Sequence, residues 1–279
     1  TLTSNTNVTG YTYTSAATMT VKSAQSITFN TITDKTYGDA AFTVSPSSDS
    51  GLTVALTSAT TSVCTVSTFT VTLLAAGTCT LNANQAGDAS YYAATQVQRS
   101  FNVSTKALTI TANNDAKTFG GTKTYGSGST AFTSAGLVGS QTIGSVTITA
   151  SGGTASTDNV GSYTLTPSAA TGGTFTPSNY AITYSTGTLT VSAATSTFTW
   201  ASASTAYSTG ATYTLTPPTI TSGNTGTWSY ASSDSTVASV QSGATLSLLK
   251  AGTTTITGTF TPATSNYTSG TVTMVLTVT

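Results

Sequence analysis

The sequence of 279 residues contains no histidine, and its seven acidic residues are all aspartate, so glutamate is absent as well. Histidine is the side chain most often used as a general base or metal ligand near neutral pH, and glutamate is the acid that best favours helices. A Ser-His-Asp triad is therefore impossible in this chain. We predict that the protein is not an enzyme and holds no cofactor or metal ion.

Charge is scarce too, since six lysines and one arginine balance the seven aspartates. Nucleic-acid binding requires clustered cations that displace counterions, and these cations are scattered. No apolar run approaches the roughly 18 residues that a membrane helix needs. Residues 1–22 lack the charged start and the continuous apolar core of a signal peptide. We expect no nucleic-acid partner and no membrane span in this segment, with any signal peptide or anchor outside it.

Threonine and serine supply about two residues in five, and threonine is a β-branched strand former. Such a composition is also typical of disordered chains, but hydrophobic residues reach 37% and alternate with polar ones in short runs. Examples are Leu108-Thr-Ile110 and Leu189-Thr-Val191. Because alternation buries one face of a strand and leaves the other in water, it predicts an ordered all-β protein.

Internal repetition gives the domain organisation. At an offset of about 171 to 175 residues, the first third of the chain aligns with the last third in seven blocks, among them Phe42-Thr-Val44 with Tyr213-Thr-Leu215. A middle unit begins alike, with a Tyr125-Gly126 turn, but ends differently. The spacing fits β-sandwiches of the immunoglobulin size. We predict an elongated rod of three immunoglobulin-like repeats: 23–104, 105–192 and 193–279.

Residues 1–22 are too short for a fourth repeat, and Asn7 to Val21 resembles the last hairpin of the third repeat, Asn266 to Val278. One interpretation is that they end a preceding repeat. Another is that they form a donor strand that completes the sheet of a neighbouring subunit. The candidate residues for such an inter-subunit strand are Thr9, Tyr11, Tyr13, Thr18, Met19 and Val21.

Several blocks carry a family resemblance. Asp34-Lys-Thr-Tyr-Gly-Asp39 and Leu73-Leu-Ala-Ala-Gly-Thr-Cys-Thr80 resemble bacterial Ig-like (Big) repeats of large surface adhesins. Lys106-Ala-Leu-Thr-Ile-Thr-Ala112, together with Asn179-Tyr180 and Gly187-Thr-Leu-Thr-Val191, is similar to the MBG-type repeat of the same proteins. The resemblance implies secretion to the cell surface, tandem copies and a spacer or adhesive role, without a conserved active site.

The two cysteines, Cys64 and Cys79, lie 15 residues apart in strand-like runs, and they align with Ala238 and Thr254 of the third repeat. An extracellular location favours their oxidation, whereas a reactive thiolate would need a cationic neighbour and a zinc site would need more ligands. We therefore predict a disulfide that the fold does not require.

Two other groups could carry chemistry. Asp34 and Asp39 flank Tyr37-Gly38 and could contribute to a calcium loop, but aspartate and glycine are also what a tight turn requires, and we favour the turn. Aromatic residues could stack on sugars. Four tyrosines precede the terminal strands, Tyr91, Tyr92, Tyr180 and Tyr267, and two tryptophans, Trp200 and Trp228, stand at core-like positions. Most of these aromatic residues are predicted to be core residues, but Tyr91 or Tyr92 must be an exception, because adjacent residues of a strand point to opposite faces.

Three functions remain, in order of preference. The first is a non-catalytic stalk or spacer in an extracellular bacterial surface adhesin, whose partners are neighbouring repeats of the same chain. The second is a subunit of an extracellular fibre, assembled with identical subunits by β-strand complementation. The third is a carbohydrate-binding module that takes host or matrix glycans.

Overall fold

The computed structural model describes residues 20–279. Of the candidates for an inter-subunit strand, Thr9, Tyr11, Tyr13, Thr18 and Met19 lie outside these residues. Val21 lies within them and is 79% exposed. The assignment of residues 1–22 to a donor strand or to a preceding repeat therefore stays a prediction.

The first repeat contains nine short strands, and alternation forms them as predicted: in β8, Cys79, Leu81 and Ala83 point into the core while their neighbours face outwards. The strands are β1 (Ile27–Thr28), β2 (Lys35–Thr36), β3 (Phe42–Thr43), β4 (Ser47–Ser48), β5 (Ala55–Ser58), β6 (Cys64–Ser67), β7 (Thr70–Leu73), β8 (Gly77–Asn84) and β9 (Val97–Ser104). They form sheets of order β2-β9-β8-β5, β3-β7-β6 and β1-β4, in which β2 pairs with β9 in parallel.

The middle repeat has fewer and longer strands, and its core includes Leu108, Ile110, Leu189 and Val191. The elements are β10 (Lys106–Ala112), β11 (Asp115–Thr118), β12 (Phe132–Ala135), β13 (Ile143–Ala150), β14 (Gly161–Gly173), a 3₁₀ turn (Pro177–Asn179), β15 (Tyr180–Ser185) and β16 (Gly187–Ser192). They form sheets of order β12-β10-β15 and β11-β16-β14-β13, and β11 pairs with β16 in parallel.

The third repeat reproduces the topology of the first around a core that includes Leu246, Ile256 and Leu276. Its strands are β17 (Phe198–Thr199), β18 (Ala203–Thr205), β19 (Thr212–Thr214), β20 (Thr219–Ile220), β21 (Gly226–Ser232), β22 (Ala238–Ser242), β23 (Thr245–Leu248), β24 (Gly252–Pro262) and β25 (Gly270–Val278). The sheet orders are β18-β25-β24-β21, β19-β23-β22 and β17-β20, and β18 pairs with β25 in parallel.

The chain is thus all-β, with immunoglobulin-like sandwiches in tandem, as predicted. In the part of the chain that the structure describes, every sheet takes its strands from one repeat, and no helix is long and apolar enough to cross a membrane. The repeat boundaries at 104/105 and 192/193 remain predictions.

The described residues pack as two compact units. The first contains residues up to Thr109 together with Ser134–Gly144 and Thr171–Thr183. The second contains Ile110–Thr133, Ser145–Ala170 and Tyr184–Thr279. Each unit therefore holds one outer repeat and one end of the middle repeat.

Cys64 and Cys79 form the predicted disulfide, with their Cα atoms 5.7 Å apart. The bond joins β6 of the three-stranded sheet to β8 of the four-stranded sheet, so it crosses the core of the first repeat. By strand register the equivalent residues of the third repeat are Ala238 and Thr254, both buried. The Thr254 hydroxyl accepts a hydrogen bond from the amide of Asp234 (3.0 Å), so a polar contact occupies this place in the third core.

Candidate functional site

The two acidic residues considered for calcium, Asp34 and Asp39, both accept hydrogen bonds from backbone amides. Asp39 accepts a hydrogen bond from the amide of Thr36 (2.9 Å), which closes the turn, and Asp34 accepts one from the amide of Asn102 (2.8 Å). Among residues 20–279, no three acidic, histidine or cysteine side chains cluster closely enough to hold a metal ion. The contact of Asp39 fits the turn interpretation, whereas that of Asp34 joins its loop to strand β9.

Ser247 and Lys250 have the Ser-x-x-Lys spacing in which a lysine can activate a serine on a helix. Here Ser247 belongs to strand β23 and Lys250 follows its end. Side chains three positions apart in an extended chain point to opposite faces, so this spacing does not bring the lysine to the serine.

The most distinctive cluster lies where the first repeat meets the middle repeat, inside the first compact unit. The ring of Tyr180, at the start of β15, stands edge-on to the ring of Tyr37, with centroids 5.5 Å apart and planes at 86°. Both rings are buried. An edge-to-face pair of this kind contributes about 0.5–1.5 kcal/mol beyond the burial of its apolar area.

A glutamine joins the hydroxyl groups of the same two tyrosines. Gln141 donates from Nε2 to the Tyr37 hydroxyl (3.0 Å) and accepts from the Tyr180 hydroxyl at Oε1. The amide of Val138 also donates to the Tyr180 hydroxyl (3.0 Å). The pKa of Tyr180 is raised, chiefly by burial and to a smaller extent by the adjacent Tyr37, while the hydrogen bond from Val138 lowers it in part.

Asn179 precedes Tyr180 and anchors the other side of this contact. Its buried side-chain carbonyl accepts a hydrogen bond from the amide of Ala76, just before β8 of the first repeat (2.9 Å). Because the acceptor is buried, water could not replace the amide without reopening the contact. We call the contacts that Asn179 and Tyr180 make with Ala76 and Tyr37 the first junction.

The same arrangement recurs where the middle repeat meets the third, inside the second compact unit. Asn266 accepts a hydrogen bond at Oδ1 from the amide of Val160 (2.9 Å) and donates from Nδ2 to Oδ1 of Asn159 (2.8 Å). The ring of Tyr267 stands edge-on to Phe119, with centroids 5.4 Å apart and planes at 68°. These contacts form the second junction.

Strand register shows that the two junctions use equivalent positions. Tyr37 follows β2 and Phe119 follows β11, the strands that pair in parallel with the last strands of their repeats, β9 and β16. Each aromatic residue donates its backbone amide to the carbonyl of the residue that ends this last strand, Ser104 or Ser192 (both 2.8 Å). The sequences also agree, since Lys-Thr precedes and Gly follows the ring in both. Each junction therefore pairs an aromatic-Gly turn with an Asn-Tyr dipeptide of the next repeat.

The Tyr125-Gly126 turn of the middle repeat does not correspond to the Tyr37-Gly38 turn, because Phe119 occupies the position of Tyr37. Tyr125 instead donates its hydroxyl to Asp115 (2.8 Å), which also pairs with Lys123 (2.8 Å). The bond to Lys123 lowers the pKa of Asp115, while burial and the Asp115 carboxylate raise the pKa of Tyr125 to about 12.

Of the four tyrosines that precede the terminal strands, Tyr180 is buried, but at the first junction, and Tyr267 is half-buried at the second. Tyr91 is half-buried and Tyr92 is 58% exposed, as expected for neighbours that point in opposite directions. Sequence reasoning missed Gln141 and Asn159, which lie in loops without any periodic pattern. It also missed Ala76 and Val160, because a backbone amide that donates a hydrogen bond leaves no mark on the side-chain sequence.

A separate open cavity of about 570 Å³ lies at one side of the third repeat. Trp200, Tyr213, Pro217 and Met274 contribute to its lining. The indole of Trp200 donates to the carbonyl of Thr216 (2.8 Å), which fixes the plane of the ring. An oriented aromatic ring beside an open cavity is a surface on which a sugar could stack.

Comparison with known families identifies the middle repeat. Residues 108–190 match the family model of the MBG domain (YGX type), and Tyr125-Gly126-Ser127 is a Tyr-Gly-x sequence within that stretch. The resemblance to MBG repeats drawn from the sequence is thereby confirmed for these residues. No curated protein matches the chain.

Among solved structures, the chain is similar to Drosophila N-cadherin EC1-4, at 12% identity over 91% of this chain and 76% of that chain, with a TM-score of 0.29. It is also similar to human CDH23 EC21-23, at 12% identity over 90% of this chain and 99% of that chain, with a TM-score of 0.31. The human desmocollin-1 ectodomain matches at 10% identity over 91% and 61% of the two chains, with a TM-score of 0.30.

Proposed function

We propose that this chain is a non-catalytic spacer, a stalk segment of an extracellular bacterial surface adhesin. One observation carries the proposal: two successive contacts between repeats use the same device, an Asn-Tyr dipeptide docked on an aromatic turn and a backbone amide. A pair of hydrogen-bonded and aromatic contacts restricts the angle between neighbours far more than a flexible linker would. Holding adjacent repeats in a fixed relation is what a spacer must do.

The disulfide supports an extracellular location. A disulfide such as Cys64–Cys79 persists in oxidising surroundings, and such bonds are rare in proteins of the cytosol.

The chain carries many hydroxyl groups and few charges, and Lys123–Asp115 is the single salt bridge found among residues 20–279. Because few ion pairs are available for screening, we expect the stability to change little with salt concentration.

Nuclear magnetic relaxation of backbone amides in the full chain tests the spacer. In the wild type we expect neighbouring repeats to tumble together. Tyr180→Ala removes the ring of the first junction and should let the first repeat tumble faster than the other two. Tyr92→Ala is the matched control, because Tyr92 is 58% exposed and lies at neither junction. Independent tumbling of all repeats in the wild type would contradict the proposal.

A second candidate, carbohydrate binding, is favoured by the cavity beside Trp200. Its partners would be host or matrix glycans that stack on the indole. A glycan array followed by titration calorimetry of any hit would test it, with Trp200→Ala expected to abolish binding. Glycan binding that survives Trp200→Ala, or an array without any hit, would reject this cavity as a sugar site.

A further inference from the structure

The third repeat carries the same aromatic position as the other two, but there it is uncovered. Tyr207 follows β18, which pairs in parallel with the last strand, and its amide donates to the carbonyl of Thr279 (2.7 Å). These are the relations that define Tyr37 and Phe119 in the junctions. Tyr37 is 7% exposed beneath Tyr180, whereas Tyr207 is 38% exposed.

The backbone donor of the junction is repeated as well. Ala76 and Val160, the two backbone donors, each precede a glycine. That glycine pairs with a valine near the end of the last strand of the repeat: Gly77 with Val103, and Gly161 with Val191. In the third repeat Gly252 pairs with Val278, so Ala251 holds the equivalent position, and Ala251 is exposed.

Leu249 is also exposed near Tyr207 and Ala251, but its exposure does not distinguish a free end face from a formed junction. Leu249 is 49% exposed, but its equivalent Leu74 is 45% exposed in the first repeat, where the junction is formed. Its exposure therefore does not indicate an uncovered contact. Tyr207 differs, because both of its counterparts are covered by a tyrosine of the next repeat and are less exposed: Tyr37 is buried beneath Tyr180, and Phe119 is half-buried against Tyr267.

We propose that Tyr207 and Ala251 form a docking surface, the third-repeat end face, for another repeat that presents an Asn-Tyr dipeptide at its facing edge. The tyrosine of that repeat would stand edge-on to Tyr207, and its asparagine carbonyl would accept the hydrogen bond of the Ala251 amide. The inference rests on the proposed spacer role and names its partner: a repeat of the middle or third kind.

One difference at this face is compatible with docking. Ser208 stands where the junctions have Gly38 and Gly120. A Cβ atom at Gly38 would lie 2.5 Å from Val138, so the first junction needs glycine for close approach, but a Cβ at Gly120 would meet nothing within 4 Å. Gly38 and Gly120 both have a φ of 90°, whereas the φ of Ser208 is not positive, so the backbone of the turn after Tyr207 differs from that of the two junctions. A partner placed as in the second junction leaves room for the serine side chain.

A second copy of this chain fits the face less well. In the first repeat, Ser23 bridges Tyr91 as Ala194 bridges Tyr267, so Ser90 holds the position of Asn266. Serine lacks the side-chain carbonyl with which asparagine accepts the hydrogen bond of the backbone amide. The occupant with the matching chemistry is therefore a repeat that carries asparagine, rather than the first repeat of another copy.

The test extends the full chain after Thr279 with a second copy of residues 193–279, in which Tyr207→Phe marks the added copy. Nitration by tetranitromethane, followed by peptide mass spectrometry, measures the exposure of the original Tyr207. We expect its nitration to slow about two- to tenfold, the range that follows from one edge-to-face aromatic contact. The exposed Tyr92 serves as the internal control and should not change.

Asn266→Ser with Tyr267→Ala in the added copy should restore the original nitration rate, and circular dichroism confirms that the variant is folded. Unchanged nitration of Tyr207 in the extended chain would overturn the inference. Protection that persists in the variant would also overturn it, because the Asn-Tyr pair would not be the cause. If Tyr37 and Tyr180 stay protected in either case, the spacer proposal stands while the end face fails alone.

Discussion

The side-chain carbonyl of Asn266 accepts a hydrogen bond from the amide of Val160, 106 positions earlier in the chain, at 2.9 Å. Asn266 is buried, and its amide nitrogen is engaged as well, by Asn159. Both hydrogen-bonding functions of one side chain thus hold the middle repeat against the third.

Asn266→Ala should lower the free energy of unfolding of the second junction by about 1–3 kcal/mol, because it leaves the Val160 amide and the Asn159 carbonyl without a partner. Amide hydrogen exchange at Val160 measures the effect directly. Asn102→Ala is the matched control, since Asn102 is exposed and accepts only a long bond from Thr78 (3.3 Å). Equal exchange at Val160 in the variant and the wild type would contradict the prediction.

A double-mutant cycle on Phe119 and Tyr267 should give a coupling energy of about 0.5–1.5 kcal/mol, because the rings meet edge to face. Phe119→Leu and Tyr267→Leu, singly and together, are measured by chemical denaturation. A cycle on Phe119 and Tyr163, which the structure does not pair, should give a value near zero. Additive effects in the first cycle would show that the ring contact contributes nothing.

Replacing both Cys64 and Cys79 by alanine should destabilise the first repeat by about 3 kcal/mol in the chain-entropy model and leave the third repeat unchanged. Calorimetry with hydrogen exchange resolved by repeat would separate the two effects. Reaction of the intact protein with thiol reagents before reduction would contradict the disulfide itself.

The converse change is Ala238→Cys with Thr254→Cys, which should create the same crosslink in the third repeat. The gain should be smaller, about 1–2 kcal/mol, because the Thr254 hydroxyl loses its bond with the Asp234 amide. A melting temperature that rises only under oxidising conditions would verify it. Failure of the two thiols to oxidise would show that the registers of the two repeats are not equivalent.

Stability should fall as the pH rises from about 10 to 12. An exposed tyrosine loses its proton near pH 10, but the pKa of Tyr125 in the fold is about 12. The folded state therefore holds more protons in this window, so raising the pH favours unfolding. Tyr125→Phe should make the fall above pH 10 less steep, while Tyr180, whose pKa is also raised, still contributes. Tyr92→Phe, a change at an exposed position, is the control. A decline of the same steepness in Tyr125→Phe would contradict the assignment.

Alternation and composition predicted the strands because β-branched and aliphatic residues repeat with period two within a segment, as in β8 and β16. The disulfide followed from two cysteines in runs that align with Ala238 and Thr254. Strands of two residues, such as β1 and β17, are too short for any periodic signal. Their pairing depends on partners elsewhere in the fold.

The junctions were beyond sequence reasoning for a different reason. Asn179-Tyr180 stood out as a motif, but a buried tyrosine gives the same signal whether it packs inside one sandwich or against a neighbour. Its partners are a loop glutamine, Gln141, and a backbone amide at Ala76, more than 100 positions away in sequence. Only the folded chain brings such groups together.

The parallel pairing of β2 with β9, β11 with β16 and β18 with β25 has a mechanical consequence. In the spacer role that we propose, tension would enter a repeat near the start of one strand of the pair and leave at the end of the other. Because the two strands run in the same direction, the load shears their ladder, and its hydrogen bonds must rupture together rather than unzip one by one. A chain built this way would yield to a pull in discrete steps, one repeat at a time.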